Sequence, residues 1–314
     1  MVLENASTSS EIAFVLEQVD NETVRRFRSA TSINRCPIRP SPQPLFVPEL
    51  ERELWNLYRD FFDKAERSDV WQVADDIPWS QCNAKLDPAI ADIVESFTAI
   101  ELYLPDYNAK ILPVIRSSKG RAWFYANWGY EESKHSLALG DWLLRSGHRS
   151  ERQMEELEQR VFSTEWNLPE DNHLGMLVYA MVQERAAQVN YRNLRLRAAE
   201  LGGDGALETI LKHVAIDEMA HHGFFRDCVS LYLKIDRTMV LEAMRSVMLD
   251  FEMPATNDLL DNNVRRLQQI HALKIFYEST YYAEVFLPIL HDLGIDRTEL
   301  RRRSLGMRSL AAKP

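Results

Sequence analysis

Two stretches, "YEESKHS" and "IDEMAHH", each set a glutamate three residues before a histidine: Glu132 with His135, and Glu218 with His221. On a helix that spacing brings both side chains to one face. Both faces are otherwise apolar, with Trp128, Leu139 and Trp142 around the first pair and Leu211, Val214, Phe225 and Val229 around the second. The stretch before each pair adds one isolated glutamate in an apolar stripe, Glu101 in "AIELYLP" and Glu184 in "VQERAA". A buried carboxylate without a partner costs several kcal/mol, so four of them need a common compensation. Two metal ions supply it. Carboxylate oxygens and imidazole nitrogens without sulfur suit iron or manganese better than zinc or copper(I). Such a centre can make from dioxygen an oxidant that no side-chain acid or base provides.

Chance produces roughly 0.7 Glu-x-x-His matches in a chain of this composition, so a single match means little. A third match, Glu170 with His173 in "NLPEDNHLG", follows Pro169 in a polar stretch and reads as a coincidence. The other two belong to a repeat. Glu101 precedes Glu132 by 31 residues and Glu184 precedes Glu218 by 34, so each half is a helical hairpin with Glu on one arm and Glu-x-x-His on the other. That is the ligand pattern of di-iron carboxylate helix bundles. Buried ion pairs with Arg or Lys are the competing reading, and they leave the paired spacing unexplained.

The elements that must carry these residues are helices. Glycine is scarce, at 11 of 314 residues, and long stretches of 3.6-residue period dominate. The periodicity and its breakers predict helices near 88–115, 120–146, 150–164, 174–201, 205–233, 236–250 and 257–291. Residues 1–30 read as an amphipathic helix or a loose arm, and five prolines make Cys36–Pro48 an extended connector. "ELERELWNLYRDFFDKAE" resumes helical period, and "DVWQVADDIPWSQCNAKLDP" is a loop holding Trp71 and Trp79. The expected organisation is an N-terminal extension over 1–86, a helical bundle over 87–296 and a basic, fraying tail over 297–314, together one globular domain. Pro105 cannot donate to the Glu101 carbonyl, so the first bundle helix should kink beside that residue.

Composition excludes several classes. No run approaches the roughly 20 apolar residues of a membrane span. The N-terminal stretch has neither a basic region nor an apolar core of secretory type, so a cytoplasmic protein is expected. Cys36, Cys82 and Cys228 form neither a disulfide framework nor a thiolate site. A net charge of −10 argues against a general nucleic-acid binder.

The stretches "IELYLPDY", "EESKHSLALGDWLLRSG", "QERA", "DEMAHH" and "FEMPA" resemble, in order and spacing, the soluble acyl-[acyl-carrier-protein] desaturases of the ferritin-like superfamily. The resemblance implies an all-α ferritin-like bundle with flanking helices. It also implies a di-iron centre on Glu101, Glu132, His135, Glu184, Glu218 and His221, with dioxygen as co-substrate. The implied partners are an acyl carrier protein bearing a fatty acyl chain, an electron donor such as ferredoxin, and a second copy of the chain. A metal-bound imidazole usually donates its other N–H to a carboxylate, and Glu131 and Asp217 are placed to serve the histidine of the opposite hairpin. Trp71 falls where the family has a tryptophan on a proposed electron route; a loop anchor explains it equally well. Trp128, Met181, Tyr191, Phe224 and Phe225 are candidates to line an acyl channel. Arg192 with Arg195, near Arg197, and Arg265 with Arg266 are candidate patches for an acidic carrier. Two departures stand out: Ile100 and Ala187 occupy places where plant members carry threonines near the oxygen site. They keep open a di-iron oxygenase acting on another metabolite. An iron store of the same fold ranks last.

Overall fold

The computed structural model describes residues 47–68, 70–249, 251 and 263–301; the expected N-terminal arm, most of the proline-rich connector and residues 302–314 lie outside them. Among the described residues all regular structure is helical. The helices are α1 (Pro48–Ser68), α2 (Pro88–Glu101), α3 (Leu104–Ile115), α4 (Lys119–Arg145), α5 (Glu151–Ser163), α6 (His173–Glu200), α7 (Gly205–Ile235), α8 (Arg237–Leu249) and α9 (Asn263–Ala272). After α9 come Glu278–Thr280, a π-helical turn Tyr281–Phe286, Leu287–Asp292 and a last short helix, Arg297–Arg301.

Four helices, α2, α4, α6 and α7, surround the bundle core, and α1 lies across α4 and α7. Helix α6 is buried along almost its whole first half, from Leu174 to Val182, as befits a central helix apolar on every side. Side-chain caps fix where three of the four bundle helices begin. Asp87 accepts from the Ala89 amide ahead of Pro88, and Asn172 accepts from Leu174 and Gly175. Asp204 caps α7 through Leu207 at 2.8 Å, and its other oxygen accepts from the Asn83 amide and the Trp142 indole. One carboxylate thus ties α7 to the Trp71-containing loop and to α4. Gly120 lets α4 meet α1, since a Cβ there would sit 2.3 Å from the Leu54 carbonyl oxygen.

Three expectations need correction. The helix expected over 88–115 does not kink but breaks, ending at Glu101 and restarting at Leu104. Pro105 supplies no N–H to the Glu101 carbonyl, and the Ile100 carbonyl instead accepts from the Tyr103 amide and the Tyr107 hydroxyl. The helix expected over 257–291 is interrupted after Ala272. There Lys274 adopts φ 53° and the Ile275 amide reaches back to the Ile270 carbonyl, a left-handed stop made without the usual Gly or Asn. The start of the expected fraying tail is ordered into Arg297–Arg301, where Leu300 is buried and Glu299 pairs with Arg237 at 2.9 Å. Among the described residues no helix is long and apolar enough to cross a membrane.

Candidate metal centre

The four bundle helices bring together all six residues singled out by the repeat. α2 supplies Glu101 from its last position, where the break before Pro105 leaves the carboxylate facing the core. α4 supplies Glu132 and His135, α6 Glu184, and α7 Glu218 and His221; all six are buried. Two overlapping sets form: Glu101, Glu132, His135 and Glu218, and Glu132, Glu184, Glu218 and His221. Within each set the potential ligand atoms lie within 4.8 Å of one another. Glu132 and Glu218 belong to both, so a carboxylate lies between the two positions from each hairpin.

The imidazoles face inward by the same atom. His135 Nδ1 lies 3.4 Å from Glu132 and 3.7 Å from Glu218, while its Nε2 meets Asp217 at 3.0 Å. His221 Nδ1 lies 3.0 Å from Glu132 and 3.4 Å from Glu184, while its Nε2 meets Glu131 at 2.7 Å. Each outward nitrogen therefore has a carboxylate acceptor on the opposite helix, which assigns its proton to Nε2 and frees Nδ1 to ligate. Trp71 donates from its indole to the same Asp217 oxygen at 2.8 Å and stacks in parallel with His213, ring centroids 5.2 Å apart. Tyr191 donates a hydrogen bond to Glu101.

The metal-free electrostatics are strained. Burial, then the Glu132 charge, pushes the Glu101 carboxyl well above its usual range; burial, then Glu184 and Glu132, does the same to Glu218. At Glu132 burial is outweighed by the two imidazoles, which hold the carboxylate below its usual range. At His135 burial is likewise outweighed, by Glu132 and Asp217, and its pKa is raised to about 10. Protons thus do the neutralising in the metal-free cluster. The arrangement fits metal better. Glu132 Oε1, Glu184 Oε2 and both inward Nδ1 atoms are buried without a hydrogen-bond partner, although oxygen and nitrogen stand close enough to make one. Lone pairs aimed at a common centre rather than at each other are what a cation requires.

A void of about 20 Å³ adjoins the cluster, and Ile100 and Ala187 line it beside Glu101 and Glu184. A second, also about 20 Å³, shares Tyr107, Trp128 and Gln183 with the first. A third, about 10 Å³, shares Ile111, Tyr125 and Met176 with the second. The three follow one another between α3, α4 and α6. Of the expected channel residues, Trp128, Tyr191 and Phe225 line these voids. Phe224 instead stacks on Phe124 at 3.7 Å, and Met181 is fully buried core. Tyr107 and Gln183 were missed; only their helical register relative to Glu101 and Glu184 could have found them.

The remaining candidates separate. Glu170 and His173 lie away from the cluster, but His173 opens α6 and its Nδ1 meets Arg121, so it is no part of a polar loop. Arg192 pairs with Glu284 and, with Arg195, lines a surface groove of about 390 Å³ floored by Leu211, Ile216 and Met219. Arg266 is not a surface cation: it is 16% exposed and committed to Glu95, Ser96 and the Asp92 carbonyl, where Arg149 also binds. Arg265 remains 71% exposed, 3.8 Å from Asp92. Arg197 donates to the Leu273 carbonyl.

The model of a protein family described as fatty acid desaturase matches residues 49–305. The chain belongs to that family. Among curated relatives, DesA1 of Mycobacterium tuberculosis, named a candidate acyl-[acyl-carrier-protein] desaturase, is 23% identical over 188 residues, 56% of this chain and 53% of that protein. A chloroplastic stearoyl-[acyl-carrier-protein] 9-desaturase of Oryza sativa subsp. indica is 29% identical over 154 residues, 46% of this chain and 40% of the relative. The match therefore spans about half or less of each relative's length. Among solved structures, DesA2 of M. tuberculosis H37Rv superposes with a TM-score of 0.60 at 18% identity, covering 81% of this chain and 98% of that one. A variant of an R2-like ligand-binding oxidase reconstituted with manganese and iron gives 0.51 at 16% identity, covering 78% and 94%. These likenesses identify the bundle as the ferritin-like fold of this desaturase family, and its buried carboxylate–histidine cluster offers two sets of potential metal ligands.

Proposed function

We propose that the protein is a di-iron acyl-[acyl-carrier-protein] desaturase, inserting a double bond into a carrier-bound fatty acyl chain with dioxygen and externally supplied electrons. The observation that carries this reading is the cluster of four carboxylates and two imidazoles with orphaned inward atoms, in a chain of the fatty acid desaturase family. Glu101, Glu132, His135, Glu184, Glu218 and His221 would hold two iron ions, with Glu132 and Glu218 shared. When bound, iron supplies an oxidant strong enough to take hydrogen from an unactivated methylene.

The chain's own residues do the positioning. Glu131 and Asp217 hold the imidazoles with Nδ1 inward, and Tyr191 fixes the Glu101 carboxylate. Trp71 links through Asp217 to His135 and gives electrons from a donor such as ferredoxin a bonded path inward. The row of voids between α3, α4 and α6 supports an acyl path passing the cluster; a bound chain would widen it by turning Tyr107 and Trp128, which now separate the voids. The groove carrying Arg192, Arg195 and Lys212 suits an acidic carrier: apolar floor, cationic rim.

A second reading, a di-iron oxygenase, is favoured by one observation. Ile100 and Ala187 put no hydroxyl on the wall of the void beside the cluster. Product mass separates the two. Iron-loaded protein, given acyl-loaded carrier, ferredoxin with its reductase and air, should yield acyl chains lighter by two hydrogens. Chains heavier by one oxygen would establish the oxygenase instead.

A further inference from the structure

Arg121, in the first turn of α4, is 2% exposed. Its Nη1 meets His173 Nδ1 at 3.1 Å, its guanidinium lies 5.6 Å from the centre of the Tyr232 ring, and its Nε has no hydrogen-bond partner. Burial and the guanidinium itself hold the His173 pKa down to about 4, so this partner is neutral at pH 7. Glu51, on α1, bears on the same Tyr232 and Cys228, yet its buried Oε2 is also without a hydrogen bond. A guanidinium withdrawn from water with no anion paired to it among the described residues is an expensive arrangement for a core.

Its position gives it a use. Arg121 and His173 line the third void, at the end of the row that starts beside the metal ligands. Along α4, Arg121 lies eleven residues before Glu132; along α6, His173 lies eleven before Glu184. Both separations are about 16 Å along a helix axis. An extended chain advances roughly 1.2 Å per bond, so about thirteen or fourteen bonds span that distance.

We propose that Arg121, with His173, anchors a carboxylate at one end of the substrate, with methylenes about thirteen bonds away beside the metal ligands. The proposal rests on reading the row of voids as the acyl path. It names the substrate class: a long-chain carboxylate rather than a chain ending in a plain methyl at this point. Either a free fatty acid or a carrier-bound chain with a second, distal carboxylate presents that chemistry. A carboxylate completes the guanidinium's hydrogen bonding through Nε, the free donor, in the fork geometry Arg favours.

The test is calorimetric, on full-length metal-loaded protein. One arm compares palmitate with methyl palmitate. The other compares carrier protein loaded with a monoacyl chain against carrier loaded with the matching α,ω-dicarboxylic chain. In at least one arm the carboxylate form should bind about tenfold tighter or more. Arg121→Gln should erase that preference with metal content unchanged, and Arg121→Lys should keep part of it. No advantage for the carboxylate in either arm, or an advantage that survives Arg121→Gln, overturns the proposal. The wild-type comparisons need no variant, so a misfolded Arg121→Gln protein does not shield it. Failure here with normal desaturation of plain acyl-loaded carrier would leave the proposed function standing; failure to load metal would strike that reading instead.

Discussion

The four carboxylates of the cluster are not equivalent, and replacing them one at a time in metal-free protein should show it. Glu132 lies between two imidazoles, 3.4 Å from His135 Nδ1 and 3.0 Å from His221 Nδ1, and is held deprotonated by them. Glu132→Gln leaves buried positive charge uncompensated, which should cost about 3–5 kcal/mol. For a chain of this size that is roughly 5–10 °C in melting temperature. Burial, then Glu184, pushes the Glu218 carboxyl well above its usual range, which favours its protonated form. Glu218→Gln replaces it by a neutral near-isostere and should change stability by no more than about 1 kcal/mol. The sign with pH follows from His135, whose pKa is raised to about 10. Its pairing with Glu132 contributes fully below the unfolded histidine value near 6.5 and is lost as pH rises towards 10. The gap between the two variants should therefore narrow between pH 7 and pH 9.5. Thermal melts of chelator-treated proteins by circular dichroism read this directly. Adding Fe(II) at about a thousandfold over Kd should raise the wild-type melt by roughly 6–8 °C and that of either variant less. Equal metal-free melts for the two variants, or a Glu132→Gln protein more stable than wild type, would refute the reasoning.

Arg266→Ala should destabilise the protein by about 3 kcal/mol, because Glu95 is buried and loses one of its two guanidinium partners. Burial raises Asp92 and Glu95, but Gln269, Arg149 and Arg266 at Asp92, and Arg149 and Arg266 at Glu95, more than offset it and leave both below the usual range, so wild-type stability should fall as pH drops below about 4; urea titrations across that range check both points. Reversing Arg192 and Arg195 to Glu should weaken association with acyl-loaded carrier and flatten its dependence on salt, at unchanged metal content; a salt response identical to wild type in steady-state kinetics would exclude that groove. Trp123, Tyr130, Leu137 and Leu144 recur every seven residues as exposed apolar side chains along α4. If a second copy covers that stripe, Tyr130→Lys with Leu137→Lys should turn a micromolar dimer into a monomer in sedimentation, and a wild-type monomer would contradict it.

The sequence shows the bundle and its cluster for one reason: burying a carboxylate demands compensation, so Glu and His in apolar stripes are informative. Glu131 and Asp217 were legible for another reason, that a ligating imidazole needs a carboxylate for its second N–H, and the structure puts them 2.7 and 3.0 Å from the two imidazoles. The sequence failed where a signal depends on tertiary partners. Arg266 looks like a surface cation until Glu95 is seen buried beneath it, and nothing in "NNVRRLQ" distinguishes it from exposed Arg265. His173 looks like a loop residue because Arg121, 52 positions earlier, is far away in sequence. The stop at Lys274 was illegible because its backbone turns left-handed without glycine. The break after Glu101 was half legible, since Pro105 announces a fault but not whether the helix bends or ends.

Metal content tests most directly whether the cluster holds two metal ions. After anaerobic reconstitution with Fe(II) and desalting, elemental analysis should find about two irons per wild-type chain, with loss on Glu184→Ala or His221→Ala. Almost none should remain in a Glu132→Ala/Glu218→Ala double variant, which lacks both shared carboxylates, while Glu170→Ala should load normally. Full loading of the double variant, or a wild-type chain that retains no metal, would contradict the two-ion centre.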